Sequence, residues 1–309
     1  MTTADAYRVW APEPTPSGYA AFASLAVPFL ARDEGRNNLA LGILDHLLGG
    51  RYPGAMLATA QGGDGSVHGL LMRTPPHGLI VPAGCAPRAV EALLAWWLGA
   101  DPDVPGMVGP LPQVEEAAAI WALLRADADR PIVVRRLMHQ GVYRLEAVRP
   151  TARADGRLQP GARAAGRARL ATPADRARIV PWLTAFEIEA VHRDTADGEA
   201  TFASFVDQPV RRLYLWETPS GESVSLTGRS GRTPSGVRIG PVYTPPEQRG
   251  RGYGEALVAA VSQWELDEGA RACYLYTDLD YGASNRLYLR VGYERIGESA
   301  ELRFVAVGG

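Results

Sequence analysis

The chain contains 309 residues, of which 46% are hydrophobic and 21% are charged, a composition that is typical of globular proteins and too apolar for intrinsic disorder. The formal net charge of -2 argues against general electrostatic binding of nucleic acid or membranes, so neither is expected as a partner. This length exceeds the usual size of one hydrophobic core, and we therefore expect two domains of roughly 150 residues each.

The start of the chain and its metal-binding residue types give no sign of export or of a metal site. Residues 1–10 lack a basic stretch followed by an apolar core, and no run reaches about 18 apolar residues, so a cytoplasmic protein is expected. Cys85 and Cys273 have no metal-type spacing and are predicted to be structural thiols of a reducing compartment. The histidines show neither metal-binding nor catalytic-triad spacing, and no metal is expected.

The first half of the chain alternates helical and extended patterns. Leu39, Ile43 and Leu47 recur at helical spacing, and a glycine-rich turn at 62–65 separates two short runs of strand character. The predicted elements, in chain order, are a helix at 29–48, strands at 55–60, 67–73 and 78–81, helices at 86–98 and 114–125, and a strand at 141–148. We take residues 1–148 as the first domain.

The composition changes after this domain. Residues 149–169 contain six arginines against one aspartate and few large apolar side chains, so they cannot bury enough surface to form a core element. We interpret 149–166 as a linker, and a solvated connector is favoured over an arginine-rich binding segment.

The second half, 167–309, is predicted to form the second domain. Thr172, Pro173 and Asp175 are typical of a helix start and follow a short strand at 168–172. The predicted elements that follow are the helix to 190, strands at 210–217, 223–228 and 237–244, a helix at 254–268, a strand at 272–277, a helix at 284–290 and a strand at 293–304. An antiparallel meander followed by a strand, helix and strand crossover indicates an α+β fold with a mixed sheet.

The segment QRGRGYG at 248–254 is the strongest chemical signal in the sequence. It joins a predicted strand to a helix, and its glycines permit close approach while the intervening N–H groups stay free to donate. Several such donors near a helix amino terminus suit a pyrophosphate. A dinucleotide-binding loop is disfavoured because the segment follows a meander, and a P-loop is disfavoured because the chain contains no lysine.

Two motifs in this half resemble the signatures of the GNAT superfamily of N-acetyltransferases. Residues 248–254 match Q/R-x-x-G-x-G/A, and NRLYLRVGY at 285–293 is similar to the N-x-x-Y-x-x-x-G-F/Y segment that follows the fifth strand of that fold. The resemblance covers about residues 167–309. It implies a mixed, mostly antiparallel sheet flanked by helices, and the order of elements in the first half suggests a second, similar domain.

The resemblance also implies roles for individual residues. A splayed strand would pair its backbone with the pantetheine arm of acetyl-CoA, the loop would cradle the pyrophosphate, Asn285 would bind near the thioester or pantetheine, and Tyr288 would protonate the departing thiolate. Without the motif, Tyr288 would be interpreted as a core aromatic. The predicted cofactor contacts are Val242, Tyr243, Thr244, Gln248, Arg249, Gly250, Arg251, Gly252, Tyr253, Gly254 and Asn285.

The sequence is less informative about a base for the attacking amine. Glu189 falls on the same helical stripe as Ile179 and Phe186, so it is predicted to be buried and is the candidate base or amine-binding residue. Glu187 is predicted to point to nearly the opposite side. Deprotonation through ordered water, or a buried hydrogen bond made by Glu189, remain alternatives.

The first half loosely echoes the second, which suggests a tandem arrangement with a degenerate GNAT-like copy. The segment at 77–94, where the cofactor loop would be expected, lacks a glycine cluster at the helix start. We therefore expect the first domain to bind no CoA and instead to shape the acceptor side or to pack as a structural partner.

The expected function is that of an acetyl-CoA-dependent N-acetyltransferase that transfers the acetyl group directly within a ternary complex. The expected acceptor is a small-molecule amine or a peptide amine, and no metal is required. The alternative is a non-catalytic acyl-CoA-binding or scaffold module. A homodimer is compatible with the sequence, which leaves the oligomeric state open.

Overall fold

The structure is a computed structural model that describes residues 7–152, 158–160, 164–192, 196–207 and 210–307. Its helices, in chain order, are α1 (Pro16–Leu30), α2 (Asn38–Leu48), α3 (Pro87–Ala100), α4 (Gln113–Asp127), α5 (Arg176–Ala190), α6 (Gly198–Val206), α7 (Tyr253–Asp267) and α8 (Gly282–Val291).

The strands include a long one at the end of each half of the chain. They are β1 (Arg8–Trp10), β2 (Met56–Gln61), β3 (Val67–Arg73), β4 (Leu79–Ile80), β5 (Gly106–Pro110), β6 (Ile132–Leu145), β7 (Pro150–Ala152), β8 (Leu158–Pro160), β9 (Arg167–Leu170), β10 (Arg212–Glu217), β11 (Ser223–Arg232), β12 (Gly236–Tyr243), β13 (Ala272–Asp278) and β14 (Glu294–Ala306).

The chain divides into two compact units. The first comprises Met1–Gly141 together with Gly297–Gly309, and the second comprises Val142–Ile296. The chain thus passes from one unit into the other within β6, and returns within β14. Residues 142–148, which we assigned to the first domain, lie in the second unit, and residues 297–309 lie in the first.

The first unit is built on strands β1 to β5 and the main part of β14, in that order. Neighbouring strands pair antiparallel except β4 and β5, which are parallel. Its core is formed by fully buried side chains that include Phe22, Leu93, Trp97 and Trp121. Helix α3 packs on β1 to β3, and α4 packs on β5.

The second unit repeats this plan. Strands β9 to β12 form an antiparallel meander, β12 pairs in parallel with β13, and β6 is next to β13 in the strand order. Helix α7 packs along β10 to β13, α5 contacts β12 and α6 contacts β10. The core contains Leu257, Val261 and Leu275. The predicted α+β fold, with a mostly antiparallel mixed sheet flanked by helices, is confirmed.

Most predicted elements lie within a few residues of the observed ones, and the start of the α5 segment is as expected. Thr172 and Asp175 form a capping box, in which each side chain binds the backbone N–H of the other residue. Arg169 on β9 donates to both Asp175 oxygens, at 2.9 and 2.7 Å. This pairing holds the pKa of Asp175 well below its usual range.

Six elements were not predicted, namely α1, β1, β5, β7, β8 and α6. Strand β5 reads GMVGP, and two glycines and a proline argue against a strand. In the structure, a Cβ at Gly106 would lie 2.0 Å from the Leu302 carbonyl oxygen, so the neighbouring strand requires glycine there. The predicted helix at 29–48 is instead the end of α1, a short 3-10 turn at Ala31–Asp33, and α2.

The segment predicted to be a linker, 149–166, is only partly described. Pro150–Ala152 and Leu158–Pro160 pair as a two-stranded antiparallel sheet. Residues 153–157 and 161–163 lie outside the described part of the chain.

In the described ranges, no helix is both long and apolar enough to cross a lipid bilayer. Both cysteines are buried and unpaired with each other, and burial raises the pKa of the Cys85 thiol to about 11 and that of Cys273 to about 12. Thiols held this far from ionisation are poor nucleophiles, which agrees with their predicted structural role.

Candidate functional site

The site lies in the second unit, where β12 and β13 stop pairing. Their register pairs run from Gly236 with Ala272 to Arg238 with Tyr274. On its other edge β12 stays paired with β11 as far as Tyr243. From 239 to 243, β12 therefore has no β13 partner in the described register, and its edge can accept an extended ligand by backbone hydrogen bonds.

The loop that follows β12 ends at the amino terminus of α7. Gly250 and Gly252 have φ angles of 78° and 79°, in the left-handed region that a side chain would strain. Gly252 is the N-cap residue, and no side chain caps the helix. Among the described residues, no acceptor lies within hydrogen-bond distance of the backbone N–H groups of 250–254. Free donors and a helix dipole at one point are the features that favour an anion there.

The base of the loop is fixed by hydrogen bonds from β11. The Ser225 hydroxyl donates to the carbonyl of Tyr243 at 3.1 Å and lies 2.9 Å from Oγ1 of Thr244. Gln248 donates from Nε2 to Glu222 at 3.2 Å. The loop is thus held at both its start and its middle while its glycine-rich end stays open.

The remaining predicted loop residues differ in their surroundings. Arg251 is exposed, Tyr253 is half-buried against the core, and Gly254 is buried beside Thr244. Val242 is half-buried and pairs with Thr227 of β11. All of them lie on β12, the loop or the first turn of α7 and form one continuous segment, whereas Asn285 lies apart in the sequence, on α8.

Arg249 links the loop to α5. Its Nε donates to the Thr244 carbonyl at 2.8 Å, and its Nη2 donates to Oε2 of Glu189 at 2.6 Å. The other oxygen of Glu189 accepts from the Tyr243 hydroxyl at 3.1 Å. Glu189 therefore joins the end of β12 to the loop.

The predicted burial of Glu189 is wrong. Its side chain is 43% exposed, whereas Glu187 is 6% exposed. The buried residues of α5 are Ile179, Leu183 and Glu187, four residues apart, so the apolar face runs along a different stripe from the one chosen in the sequence. Glu187 accepts from the Thr201 hydroxyl and from the Asp197 N–H, and so ties α5 to α6.

Tyr288 on α8 is 5% exposed and packs among aromatic rings. Its ring centroid lies 6.3 Å from that of Tyr143 and 5.9 Å from that of Tyr293. Burial raises the pKa of its hydroxyl well above the usual value, so the phenol stays protonated. Its hydroxyl has no hydrogen-bond partner among the residues that the structure describes. A protonated and unengaged phenol suits a general acid.

Asn285, one turn before Tyr288, is already engaged. Its Nδ2 donates to the carbonyls of Asp278 and Tyr281 at 2.8 and 3.0 Å, and its Oδ1 accepts from the Tyr143 hydroxyl at 3.0 Å. These bonds hold the turn between β13 and α8. Both ends of the side-chain amide are thus used within the protein. The expected contact of Asn285 with the thioester or pantetheine stays a prediction.

Tyr143 is the residue of this site that the sequence did not reveal. It lies on β6, and its partners Asn285 and Tyr288 are more than 140 positions away in the chain. No local motif could have indicated them.

Asp278, the last residue of β13, serves the turn that follows. It accepts from the Asp280 N–H at 2.9 Å, and its other oxygen lies 3.2 Å from Nε2 of His192. His192 has a φ of 53° and lies two residues after α5. The end of α5 and the residues after it therefore contact β12 through Glu189 and β13 through His192.

The first unit has a corresponding turn between β4 and α3, and two of its backbone donors are used. The Ala83 N–H donates to Asn37 at 2.8 Å, and the Ala86 N–H donates to the His68 carbonyl at 2.8 Å. Pro87 opens the helix and has no N–H. Within the described ranges of the chain, no group of three or more His, Cys, Asp or Glu side chains could hold a metal ion.

Comparisons with known proteins agree with this geometry. Residues 181–293 match the model of the Acetyltransferase (GNAT) family. No protein of curated function is similar enough in sequence to match the chain.

Solved structures match nearly the whole chain at low sequence identity. A GCN5-related N-acetyltransferase from Sphaerobacter thermophilus is 19% identical, with a TM-score of 0.58 over 97% of each chain. A tandem GNAT protein from the clavulanic acid biosynthesis pathway is 17% identical, with a TM-score of 0.57 over 98% of this chain and 99% of that one. A Drosophila protein is 14% identical, with a TM-score of 0.60 over 98% and 99%. These likenesses show the fold alone, and the match to the GNAT acetyltransferase family model is confined to residues 181–293.

Proposed function

We propose that the protein is an acetyl-CoA-dependent N-acetyltransferase that transfers the acetyl group directly to an amine within a ternary complex. The observation that carries the proposal is the uncapped amino terminus of α7, which offers free N–H groups at 250–254 directly after the unpaired edge of β12. The family match supports acyl transfer as the chemistry.

The residues present fit acetyl-CoA. Backbone donors at 250–254 would hold the pyrophosphate, and the free edge of β12 from 239 to 243 would hold the pantetheine arm. A hydrogen bond to a charged group contributes about 1.5 to 3 kcal/mol, so three or four of these donors account for cofactor binding without a metal. In the first unit the corresponding turn lacks a glycine-rich loop at the helix start, Pro87 has no N–H, and the Ala83 and Ala86 donors are occupied, which supports a single cofactor site per chain.

Acetyl-CoA supplies the acetyl thioester. In the transfer, the amine nitrogen bonds to the acetyl carbon, the carbon–sulfur bond breaks, and the sulfur takes a proton from the Tyr288 hydroxyl. The buried position of Tyr288 keeps that hydroxyl protonated until it is needed. General acid catalysis of this kind typically contributes about 10²- to 10⁴-fold.

Glu189 has a different role in this proposal from that of a base. Its carboxylate is exposed and bound to Arg249 and Tyr243, so it orders the loop. The proton of the attacking amine then leaves through water. The acceptor is a small-molecule amine or the amine of a peptide.

The test is to incubate the protein with labelled acetyl-CoA and a panel of amine metabolites and peptides. Mass spectrometry would detect the acetylated product, and a thiol assay would detect the released CoA. Acetylated amine with matching CoA release is the expected result. Saturable acetyl-CoA binding without turnover on the whole panel would favour the alternative, a non-catalytic acyl-CoA-binding module.

A further inference from the structure

Tyr143 lies at the meeting point of three elements of the second unit. It is on β6, it is 3% exposed, and it belongs to the same core as Tyr288 and Tyr293. Its hydroxyl donates to Oδ1 of Asn285 at 3.0 Å.

Asn285, which accepts that bond, also holds the turn before α8. Asn285 uses its Nδ2 to bind two carbonyls of the preceding turn, those of Asp278 and Tyr281. The amide oxygen can only accept, and Tyr143 supplies its donor. The hydroxyl of Tyr143 thus completes the set of bonds that holds the Asn285 amide in this orientation.

The ring of Tyr143 makes a second contact with the same helix. It packs at 6.3 Å, centroid to centroid, against the ring of Tyr288, with the ring planes inclined at 48°. Asn285 and Tyr288 are three residues apart and therefore lie on one face of α8. Tyr143 touches both, one by its hydroxyl and the other by its ring.

We propose that Tyr143 is a positioning residue for the acid Tyr288. By orienting Asn285 and packing on Tyr288, it sets the height and rotation of α8 relative to the end of β13. This inference rests on the proposed function for the identity of the acid. It also gives Tyr143 a part in the transfer site, although this residue precedes the GNAT-matched segment.

The experiment compares the full-length protein with Tyr143→Phe, which removes the hydroxyl and keeps the ring. Steady-state kinetics should give a fall in kcat of about 2- to 12-fold, the value of one hydrogen bond, with KM for acetyl-CoA within twofold. Tyr214→Phe is the matched control, since Tyr214 is also buried in the core of this unit and donates to Glu265 at 3.1 Å, away from α8.

A double-mutant cycle with Asn285→Ala separates positioning from stability. If Tyr143 acts through Asn285, the effects of the two substitutions on kcat will be less than additive, and Tyr214→Phe will be additive with Asn285→Ala. An unchanged kcat in Tyr143→Phe would overturn the inference, as would a loss of kcat equal to that of the control.

Failure of the proposed function would look different. If the wild-type protein releases no CoA with any acceptor, the proposed function is refuted. The double-mutant cycle then uses free energies of unfolding in urea instead of kcat. Coupling between Tyr143 and Asn285 there supports the positioning contact, whereas a coupling of zero overturns it.

Discussion

Replacing Glu189 by Gln distinguishes loop ordering from base catalysis. Glutamine keeps the shape of the side chain and its acceptor oxygen but removes the charge that pairs with Arg249. The ion pair is 2.6 Å long, and its two side chains are 39% and 43% exposed. Exposed pairs of this kind contribute about 0.2 to 1 kcal/mol, which corresponds to about 1.4- to fivefold in affinity.

The expected result for Glu189→Gln is therefore a rise of at most about fivefold in KM for acetyl-CoA, with kcat within twofold. Because surface charges are screened by salt, the difference from the wild type should disappear near 1 M salt, where the Debye length is about 3 Å. Glu199→Gln is the matched control, since Glu199 makes a similarly exposed ion pair with Arg176 elsewhere in the unit.

Steady-state kinetics over a range of acetyl-CoA concentrations measures both parameters. A fall in kcat of a hundredfold or more would refute the ordering role, because that is the size of a lost general base. A fall in KM would also contradict it, since it would mean that Glu189 draws Arg249 away from the cofactor.

Three further predictions concern the acid, a buried ion pair and the acid limb of stability. Tyr288→Phe should lower kcat by about 10²- to 10⁴-fold and leave acetyl-CoA affinity unchanged by calorimetry, and full turnover would remove its role. Glu265→Ala should cost about 3 to 5 kcal/mol in urea unfolding, because it removes the buried carboxylate 2.9 Å from the buried guanidinium of Arg229 and leaves only the exposed Glu268, 3.7 Å away, as a counter-charge; a cost under 1 kcal/mol would contradict this. Asp175→Asn should lose the stability that pairing with Arg169 provides; since the folded pKa of Asp175 is depressed, this difference from wild type should be full above about pH 4 and shrink as the pH falls further, and a difference that instead grows toward low pH would contradict the assignment.

The open glycine-rich loop before α7 could be predicted because its geometry is local. The donors at 250–254, the strand before them and the helix after them follow each other in the chain, and glycine spacing reports the backbone conformation directly. The same holds for Thr172 and Asp175, whose capping box lies within four residues. Local sequence is enough where one segment makes the whole feature.

The parts that the sequence did not predict depend on distant partners. The buried face of α5 is set by the strand and helix against which it packs. The stripe that contains Ile179 and Phe186 therefore predicted the wrong glutamate to be buried. Tyr143 meets Asn285 only because β6 enters the second unit. The predicted strand starts at 141, whereas β6 starts at Ile132, because exposed arginines at 135 and 136 interrupt the apolar pattern of its first part.

The most direct test of the account is calorimetric titration of acetyl-CoA into the wild type, Gly250→Ala and Gly221→Ala. Both glycines have φ near 80° and open space around them, but Gly221 lies in the turn between β10 and β11. Each substitution therefore carries a similar backbone strain of about 1 to 2 kcal/mol. The account predicts one site in the wild type, unchanged affinity in Gly221→Ala, and affinity at least about tenfold weaker in Gly250→Ala, the loss of about one charge-assisted hydrogen bond. Equal affinities in the two variants, or no binding by the wild type at millimolar acetyl-CoA, would contradict it.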